Sequence, residues 1–356
     1  MSKIGSSLLV PSVQELVKQS ITQVPDRYHV PKQEDTPNTC SFPQVPIIDL
    51  NNLLSQDPFE LHKLDHACKE WGFFQLINHG VEHSLVESVK LGVHDLFNLP
   101  IEEKRKLWQK PGDMEGFGQL FVVSEKQKLE WADLFNINTL PSYARDPNLF
   151  PNIPQPFRDN LDSYCLQVGK LCMKMIGQME VALKIKPKEL VELFEDISQS
   201  MRLNYYPPCP QPENVIGLSP HSDAGCLTFL LQANEVEGLQ IRKDGMWIPV
   251  TPLSNAFIVN VGDILEILTN GIYRSIEHRV TVNSKKERIS IATFHKPQMN
   301  KVVGPSASLV TPEKPALFKR ISVADYYKKY FSRQLQVKSL LDDARIYSDN
   351  CVNKNV

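Results

Sequence analysis

After about Ser200 the chain becomes a series of short strands separated by turns, and this series constrains the fold more than any other feature. The turn residues Asp244 and Gly245 predict a hairpin, since this pair tolerates the positive φ of tight β-turns. Regularly spaced short strands predict a sandwich or barrel, and a jelly roll is the version that commonly holds a metal in its mouth. The predicted strands are Met201 to Tyr206, Leu227 to Gln232, Leu239 to Ile241, Trp247 to Val250, Phe257 to Val261, Ser275 to Val282 and Ile289 to Phe294.

The chain before Ser200 carries both helical and strand patterns. Ser12-Val13-Gln14-Glu15 fits a capping box, which predicts a helix from Ser12 to about Thr22. Strands are predicted at Val45 to Leu50 and Phe73 to Asn78, and amphipathic helices at Leu61 to Trp71, Val86 to Phe97 and Leu161 to Leu183. Ser322 predicts the start of a further helix near the C-terminus, and the whole pattern therefore predicts an α+β protein.

Composition narrows the class of protein and of partner. The chain has 356 residues, 42% of them hydrophobic and 22% charged, which is ordinary for a globular enzyme. A net charge of −2 gives no electrostatic reason to bind nucleic acid or an anionic membrane, so the expected partner is a small molecule. The seven cysteines form no C-x-x-C pair, and the N-terminus lacks a long apolar run. We therefore expect a cytoplasmic protein with reduced thiols and no membrane span, and we also expect it to be a monomer.

One tripeptide, His221-Ser222-Asp223, is a candidate for part of a metal site. Residues i and i+2 of an extended strand point to the same side, so the imidazole and the carboxylate converge. A third ligand is available at His278 in a later β-branched run. Two histidines and one carboxylate without cysteine are typical of non-haem Fe(II) with open coordination positions. Because the chain has nine histidines, a His-x-Asp tripeptide by itself arises by chance about as often as not.

A second pattern supports the metal site. Alternation along Arg288 to Phe294 places Arg288, Ser290 and Phe294 on one strand face. That face could simply be exposed to solvent, but an arginine beside a small hydroxyl also fits a carboxylate clamp. Asn204 and Tyr206 share a face in the same way and could hold the other end of an organic acid. His79 and His295 are left out of the metal site, since such histidines are more often buried or surface residues.

Together these residues resemble the plant 2-oxoglutarate- and Fe(II)-dependent dioxygenases. The likeness covers most of the chain. Within the family the sequence looks like the senescence-related subgroup, which includes the O-demethylases of thebaine and codeine. The matching segments are Val45 to Leu50, Trp71 to Gly80, Met114 to Gln119, Asn204 to Pro210, His221-x-Asp223, Asn260 to Glu266, His278 and Arg288-x-Ser290.

The resemblance implies a fold and three segments. The core would be a double-stranded β-helix, or distorted jelly roll, wrapped by N-terminal and C-terminal helices. Residues 1–195 would form a mixed α/β region of the non-haem dioxygenase N-terminal type, packed on the core. Residues 196–300 would form the Fe(II)/2-oxoglutarate core, and residues 301–356 loops and a helix that close the site.

The resemblance also implies cofactors and roles. Fe(II) would be held by His221, Asp223 and His278, which are the catalytic residues. 2-Oxoglutarate would chelate the iron, with Asn204 near that end, while its far carboxylate would meet Arg288, Ser290 and Tyr206. O2 would be the second cosubstrate, ascorbate would support the reaction, and succinate and CO2 would be released. The substrate would be a hydrophobic polycyclic compound that is hydroxylated or O-demethylated, with an alkaloid as the first candidate by analogy.

Three alternatives remain open at this point. The protein could be a flavonoid or terpenoid hydroxylase of the same family, or a related Fe(II) oxidase that does not consume 2-oxoglutarate. A jelly-roll protein that only binds a small molecule is the alternative from another class. For the substrate pocket, Phe121, Phe135 and Phe294 are the expected walls. A last helix carrying Tyr326, Tyr330 and Phe331 is expected to close over them.

Overall fold

The structure is a computed structural model that describes residues 7–31, 42–335 and 339–346. Helices α1 to α9 span Val13–Val17, Leu50–Leu54, Pro58–His66, His83–Phe97, Ile101–Lys106, Phe157–Leu183, Asp263–Leu268, Val323–Phe331 and Ser339–Ala344. Strands β1 to β14 span Ile47–Asp49, Phe73–Ile77, Gly116–Gly118, Asp133–Leu140, Ser198–Tyr206, Leu218–His221, Leu227–Gln232, Leu239–Lys243, Met246–Pro249, Phe257–Val261, His278–Val280, Arg288–Lys296, Val302–Val303 and Ile321–Ser322.

Two sheets form the core. The larger has eight strands in the order β1-β2-β10-β7-β12-β5-β4-β3, and the smaller has four in the order β6-β11-β8-β9. β1 pairs with β2 in parallel, whereas the other pairings within these two sheets are antiparallel. Side chains of both sheets, such as Ile258 and Ile241, pack in one apolar cluster between them. The predicted α+β class and jelly-roll core are therefore confirmed.

Alternation along the strands separates two environments. On β5, Leu203 and Tyr205 belong to the hydrophobic core that includes helix α6, whereas Asn204 and Tyr206 line the space between the sheets. This is the side-chain period of two expected for a strand with both faces covered. Asn204 and Tyr206 are therefore directed away from the helical layer and into the interior of the jelly roll.

Helix α6 forms much of the helical layer. One stripe of cysteine, methionine and aliphatic side chains on this helix is buried in the core, as the amphipathic pattern predicts. Lys184 ends the helix in the left-handed conformation. Among the described residues no helix combines the length and the hydrophobicity needed to cross a bilayer.

The first helix is shorter than the sequence predicts. Ser12 caps α1 as expected, with its Oγ accepting from the Glu15 backbone N–H at 3.2 Å. The helix then ends at Val17, and a turn with Ser20 at φ 54° follows. Buried Asp133 binds the start of the helix by accepting from the Val13 N–H at 2.8 Å. The cap is thus fixed by a residue far away in sequence.

The three-segment division remains a prediction, and residues 336–338 and 347–356 of its last segment lie outside the described residues. Strands of the first and second predicted segments belong to one sheet, since β2 pairs with β10 and β4 pairs with β5. The main hydrophobic core likewise takes residues from both.

Candidate active site

His221, Asp223 and His278 come together at the end of the smaller sheet. His221 closes β6 and His278 opens β11, and the two residues are direct partners in the antiparallel register. Asp223 follows His221 by two residues, with its Oδ1 3.5 Å from His221 Nε2 and 3.7 Å from His278 Nε2. One ligand atom from each residue lies within 4.8 Å of the others. All three side chains are buried, so the cluster can surround one metal ion.

Backbone carbonyls fix which nitrogen of each histidine is free. His221 Nδ1 lies 2.8 Å from the Ser219 carbonyl oxygen, and His278 Nδ1 lies 3.2 Å from that of Ile276. A carbonyl oxygen only accepts hydrogen bonds, so Nδ1 of each ring is the nitrogen that donates, and Nε2 is the nitrogen available to a metal. Hydrogen bonds of this kind orient the histidine ligands of metal sites.

Two polar side chains orient the carboxylate. Thr228 Oγ1 donates to Asp223 Oδ2 at 2.6 Å, and Asn260 Nδ2 donates to the same oxygen at 2.8 Å. Oδ1 is thereby left facing the two histidines. Burial alone would raise the pKa of Asp223, but His278, His221 and the hydrogen bond from Asn260 outweigh it and hold the pKa well below the usual range. The carboxylate therefore stays ionised.

The donor set fits a divalent metal. His221 Nε2 is buried and, among the described residues, has no hydrogen-bond partner. Burial and the neighbouring His221 lower the pKa of His278 to about 4, so its imidazole is neutral near pH 7. Two imidazoles and one ionised carboxylate match the two-histidine, one-carboxylate site of non-haem Fe(II) proteins.

A small pocket between the sheets adjoins two of the three ligand residues, Asp223 and His278. Arg288 is only 1% exposed, and its Nη1 donates to Ser290 Oγ at 3.2 Å while Nη2 donates to Gln232 Oε1 at 2.8 Å. Its Nε is buried without a partner, and no carboxylate of the described residues pairs with the guanidinium. An unpaired buried cation is costly, so this arginine fits an anionic ligand.

The structure brings the remaining predicted cosubstrate residues to the same pocket. The guanidinium carbon of Arg288 lies 5.2 Å from the centre of the Tyr206 ring, and Asn204 Nδ2 lies 3.4 Å from Ser290 Oγ. Asp223 and His278 line the pocket as well. The pocket therefore offers a cation and hydroxyl groups at one end and the ligand cluster at the other, which fits a dicarboxylate such as 2-oxoglutarate.

A larger cavity of about 300 Å³ opens beside Asp223. Phe121 and Phe294, two of the three expected aromatic walls, line it. Phe135 does not: it is fully buried in the main hydrophobic core, 4.9 Å from the Phe117 ring centre. The reason is the strand period, since Asn136 and Asn138 of β4 line the cavity and the odd-numbered Phe135 points to the helical side.

Helix α8 forms one side of this cavity. Tyr330 and Phe331 line it and pack on Phe121, with ring centres 5.1 and 5.4 Å away. Tyr326, which the sequence predicts beside them, instead donates its hydroxyl to Asp263 Oδ2 at 2.9 Å. Tyr327, which the sequence reasoning missed, lines the cavity. Tyr327 lies three positions before Tyr330 and four before Phe331, so it shares a helix face with both, whereas Tyr326 lies five positions before Phe331.

Sequence reasoning also missed charged residues of the cavity. Arg202, Lys296 and Glu115 all line it. The signal was present for the first two, because Arg202 precedes Asn204 and Lys296 follows Phe294 by two positions on the same strand faces. By contrast His79 packs on Phe257 at 4.6 Å, and His295 lies 3.0 Å from Gln199 Nε2, so both stand outside the ligand cluster.

Comparison with known proteins decides the family. Residues 197–297 match the 2OG-Fe(II) oxygenase superfamily, and residues 45–153 match the N-terminal region described as non-haem dioxygenase in morphine synthesis. The chain belongs to the 2OG-Fe(II) oxygenase family. It is therefore an oxidoreductase of the 2-oxoglutarate-dependent dioxygenase type, and its cofactors are Fe(II) and 2-oxoglutarate, as the sequence predicts.

Relatives cover nearly the whole of this dioxygenase. It is 55% identical to the oxoglutarate-dependent flavonoid 7-O-demethylase 1 of Ocimum basilicum, over 96% of this chain and 93% of that protein. It is 52% identical to the codeine O-demethylase of Papaver somniferum, over 97% of this chain and 98% of that protein. The crystal structure of JOX2 in complex with 2OG, Fe and JA has a TM-score of 0.87 at 36% identity, covering 95% and 98% of the two chains.

Proposed function

We propose that the dioxygenase hydroxylates or O-demethylates a hydrophobic polycyclic compound of plant specialised metabolism. Hydroxylation of an O-methyl carbon gives a hemiacetal that releases formaldehyde, so the two outcomes share one oxidation. One O2 and one 2-oxoglutarate are consumed, and succinate and CO2 are released with the oxidised product. The relatives named as O-demethylases support this proposal, and they include both a flavonoid and an alkaloid enzyme.

We assign roles to the chain's own residues as follows. His221, Asp223 and His278 would hold Fe(II), which together with O2 and 2-oxoglutarate would supply the oxidising power for the reaction. Thr228 and Asn260 keep Asp223 Oδ1 turned towards the ion. Each residue thus acts by holding a ligand atom in place before the substrate arrives.

The pocket between the sheets binds 2-oxoglutarate through the charge and the shape of its lining. Arg288 and Ser290 bind the far carboxylate of 2-oxoglutarate, with the Tyr206 ring packed against the guanidinium. Asn204 lies near the chelating end. Because this pocket is buried, water is excluded and the hydrogen bonds to the carboxylate are strengthened.

The large cavity is the single observation that most favours a polycyclic substrate. Its volume of about 300 Å³ lies in the range of small-molecule sites, and aromatic residues line it beside Asp223. A planar ring system would stack against Phe121, Phe294 and Phe331 while presenting its reacting carbon to the ligand cluster. Smaller and more polar substrates would leave these walls unused.

An assay of methoxylated flavonoids and alkaloids tests the proposal. The purified protein is incubated with Fe(II), ascorbate, 2-oxoglutarate and one compound at a time, and succinate, formaldehyde and product mass are measured. We expect one succinate per product and a mass change equal to the loss of CH2 or the gain of one oxygen. If no compound raised succinate release above the background without substrate, the proposal would be rejected. His221→Ala serves as the inactive control.

The sequence left open an Fe(II) oxidase that does not consume 2-oxoglutarate, and the family match together with the oxoglutarate-dependent relative argues against it. An arginine and a serine on one strand face could grip a substrate carboxylate equally well, so Arg288 and Ser290 do not separate the two. Product formed without succinate release, and independent of added 2-oxoglutarate, would favour the oxidase.

A monomer located in the cytoplasm remains our prediction for the oligomeric state and the location of the protein.

A further inference from the structure

Two buried cations line the large cavity without an acceptor from the chain. Lys296 is 6% exposed, and no described residue accepts a hydrogen bond from its Nζ. Arg202 is also 6% exposed, its Nε is buried without a partner, and no described carboxylate pairs with it. Buried polar groups almost always have a hydrogen-bond partner. These two cations therefore favour a ligand that brings its own acceptors.

The carboxylates of the same cavity are already bound. Glu115 accepts from the Asn138 backbone N–H at 2.7 Å through Oε1 and from Asn138 Nδ2 at 2.9 Å through Oε2. Asp113 Oδ1 accepts from the Met114 N–H at 2.8 Å. Asp223 belongs to the ligand cluster. The anionic groups thus have donors within the chain, whereas the cationic groups lack acceptors.

Aromatic rings hold the two cations in place. Lys296 Nζ lies 4.7 Å from the centre of the Tyr327 ring, and the Arg202 guanidinium carbon lies 5.4 Å from that of Phe294. Cation–π contacts orient an ammonium or guanidinium but accept no hydrogen bond. Burial lowers the pKa of Lys296 to about 8, with Glu115 opposing the change, so the ammonium form still dominates at neutral pH.

Lys296 lies on the same strand as Arg288 of the cosubstrate pocket and Phe294 of the large cavity. On β12 the clamp residue Arg288 comes first, then Phe294, then Lys296, and the last step of two residues covers about 7 Å. Asp223 lines the cavity as well. A ring system lying on Phe294 could therefore place one edge at the ligand cluster and a polar group at Lys296.

We propose that Lys296, assisted by Arg202, binds an oxyanion of the substrate, either a carboxylate or a phenolate, so that the cavity selects acidic ring compounds over protonated amines. This inference rests on the proposed function and narrows its substrate class. A protonated amine would be repelled by the positive charge of Lys296. To bind the amine, Glu115 would have to give up its hydrogen bonds from Asn138. An acidic compound supplies the acceptor that both cations lack.

Binding without turnover tests the inference separately from the proposed function. The protein is saturated with Mn(II) and 2-oxoglutarate under argon, which occupies the cosubstrate pocket, and ligand binding is followed by calorimetry at pH 7. The probes are 2-naphthoate, 2,4-dinitro-1-naphtholate, methyl 2-naphthoate and 2-naphthylmethylammonium. We expect the two anions to bind about tenfold or more tightly than the ester and the ammonium probe. Tighter binding of 2-naphthoate would indicate a carboxylate site, and tighter binding of 2,4-dinitro-1-naphtholate would indicate a phenolate site.

Variants link the preference to Lys296. Lys296→Met should reduce the preference for anions about fivefold or more, whereas Lys296→Arg should keep most of it. Lys296→Gln is a second neutral variant if the methionine variant folds poorly, as judged by circular dichroism. An ammonium probe that binds as tightly as naphthoate to the natural protein would overturn the inference, and so would an unchanged preference in both neutral variants. A preserved anion preference with no oxidation of any compound would instead overturn the proposed function alone.

Discussion

At the scale of single residues, hydrogen bonds decide what the ligand side chains can do. Carbonyl oxygens hold the proton of His221 and His278 on Nδ1, and Thr228 and Asn260 occupy one oxygen of Asp223. Each residue is left with one free ligand atom facing a common point. The sequence identifies the three residues, but their partners lie between 2 and 37 positions away and become visible only in the fold.

Replacing Arg288 tests the cosubstrate clamp. Arg288→Ala should raise the KM for 2-oxoglutarate about 10- to 100-fold, because a charge-assisted hydrogen bond contributes about 1.5–3 kcal/mol. CO2 release at increasing 2-oxoglutarate concentrations gives the value. Arg158→Ala is the control, since Arg158 lies outside both cavities. An unchanged KM in Arg288→Ala would exclude the clamp role.

Lys296 should also affect stability in a pH-dependent way. Its pKa is lowered from 10.5 to about 8 in the folded protein, so between these values the unfolded chain binds more protons and stability rises with pH. Lys296→Met should therefore be more stable than the natural protein at pH 7, by about 1–3 kcal/mol, and this gain should shrink between pH 8 and 10.5. Urea unfolding at several pH values measures the difference. A gain independent of pH would contradict the lowered pKa.

At the scale of elements, strand alternation builds both cavities. β5 and β12 each direct alternate residues towards the helical layer and the others towards the reaction site. The same period explains the misplaced wall residue Phe135, because only its neighbours on β4 reach the cavity. On α8 the period is helical, which brings Tyr327 rather than Tyr326 to the cavity. The sequence therefore predicts whether a segment is a helix or a strand. Which of its side chains face the cavity depends on what packs against each face of the segment.

The turn before β2 offers a sharp test at this scale. Gly72 has φ +60°, and a Cβ there would lie 2.3 Å from the Arg274 carbonyl oxygen. Gly72→Ala should therefore cost about 2–4 kcal/mol of unfolding free energy. Gly245 is a matched control, since it has φ +79° but no atom within 4 Å of such a Cβ. Gly245→Ala should cost only about 1 kcal/mol in the same thermal or urea unfolding experiment. Equal losses in the two variants would show that the contact with Arg274 is unimportant.

At the scale of the whole molecule, the ligands should stabilise the fold. The predicted site spans β6 and β11 of the smaller sheet and Arg288 of the larger sheet, so bound metal and 2-oxoglutarate would connect both sheets. Binding at a hundredfold excess over Kd contributes about 2.7 kcal/mol, which corresponds to a rise in Tm of roughly 5 °C.

Differential scanning fluorimetry with Mn(II) and 2-oxoglutarate measures this rise. EDTA should reverse it, and His221→Ala should show little of it. A full rise in His221→Ala would mean that the metal binds elsewhere.

The sequence by itself determined the strand-rich core, the alternating strand faces, the three metal-ligand candidates and the arginine–serine pair. These are local patterns, because residues two positions apart share a face of a strand and residues three or four positions apart share a face of a helix. Only the tertiary structure brought His278 opposite His221, gave Asp223 its donors and placed Arg202, Lys296 and Glu115 in one cavity. Such contacts depend on which strands pair and on which face is covered, and neither is encoded in local spacing. The chemistry of the ligands could therefore be predicted from the residues, whereas the shape and charge of the substrate cavity required the fold.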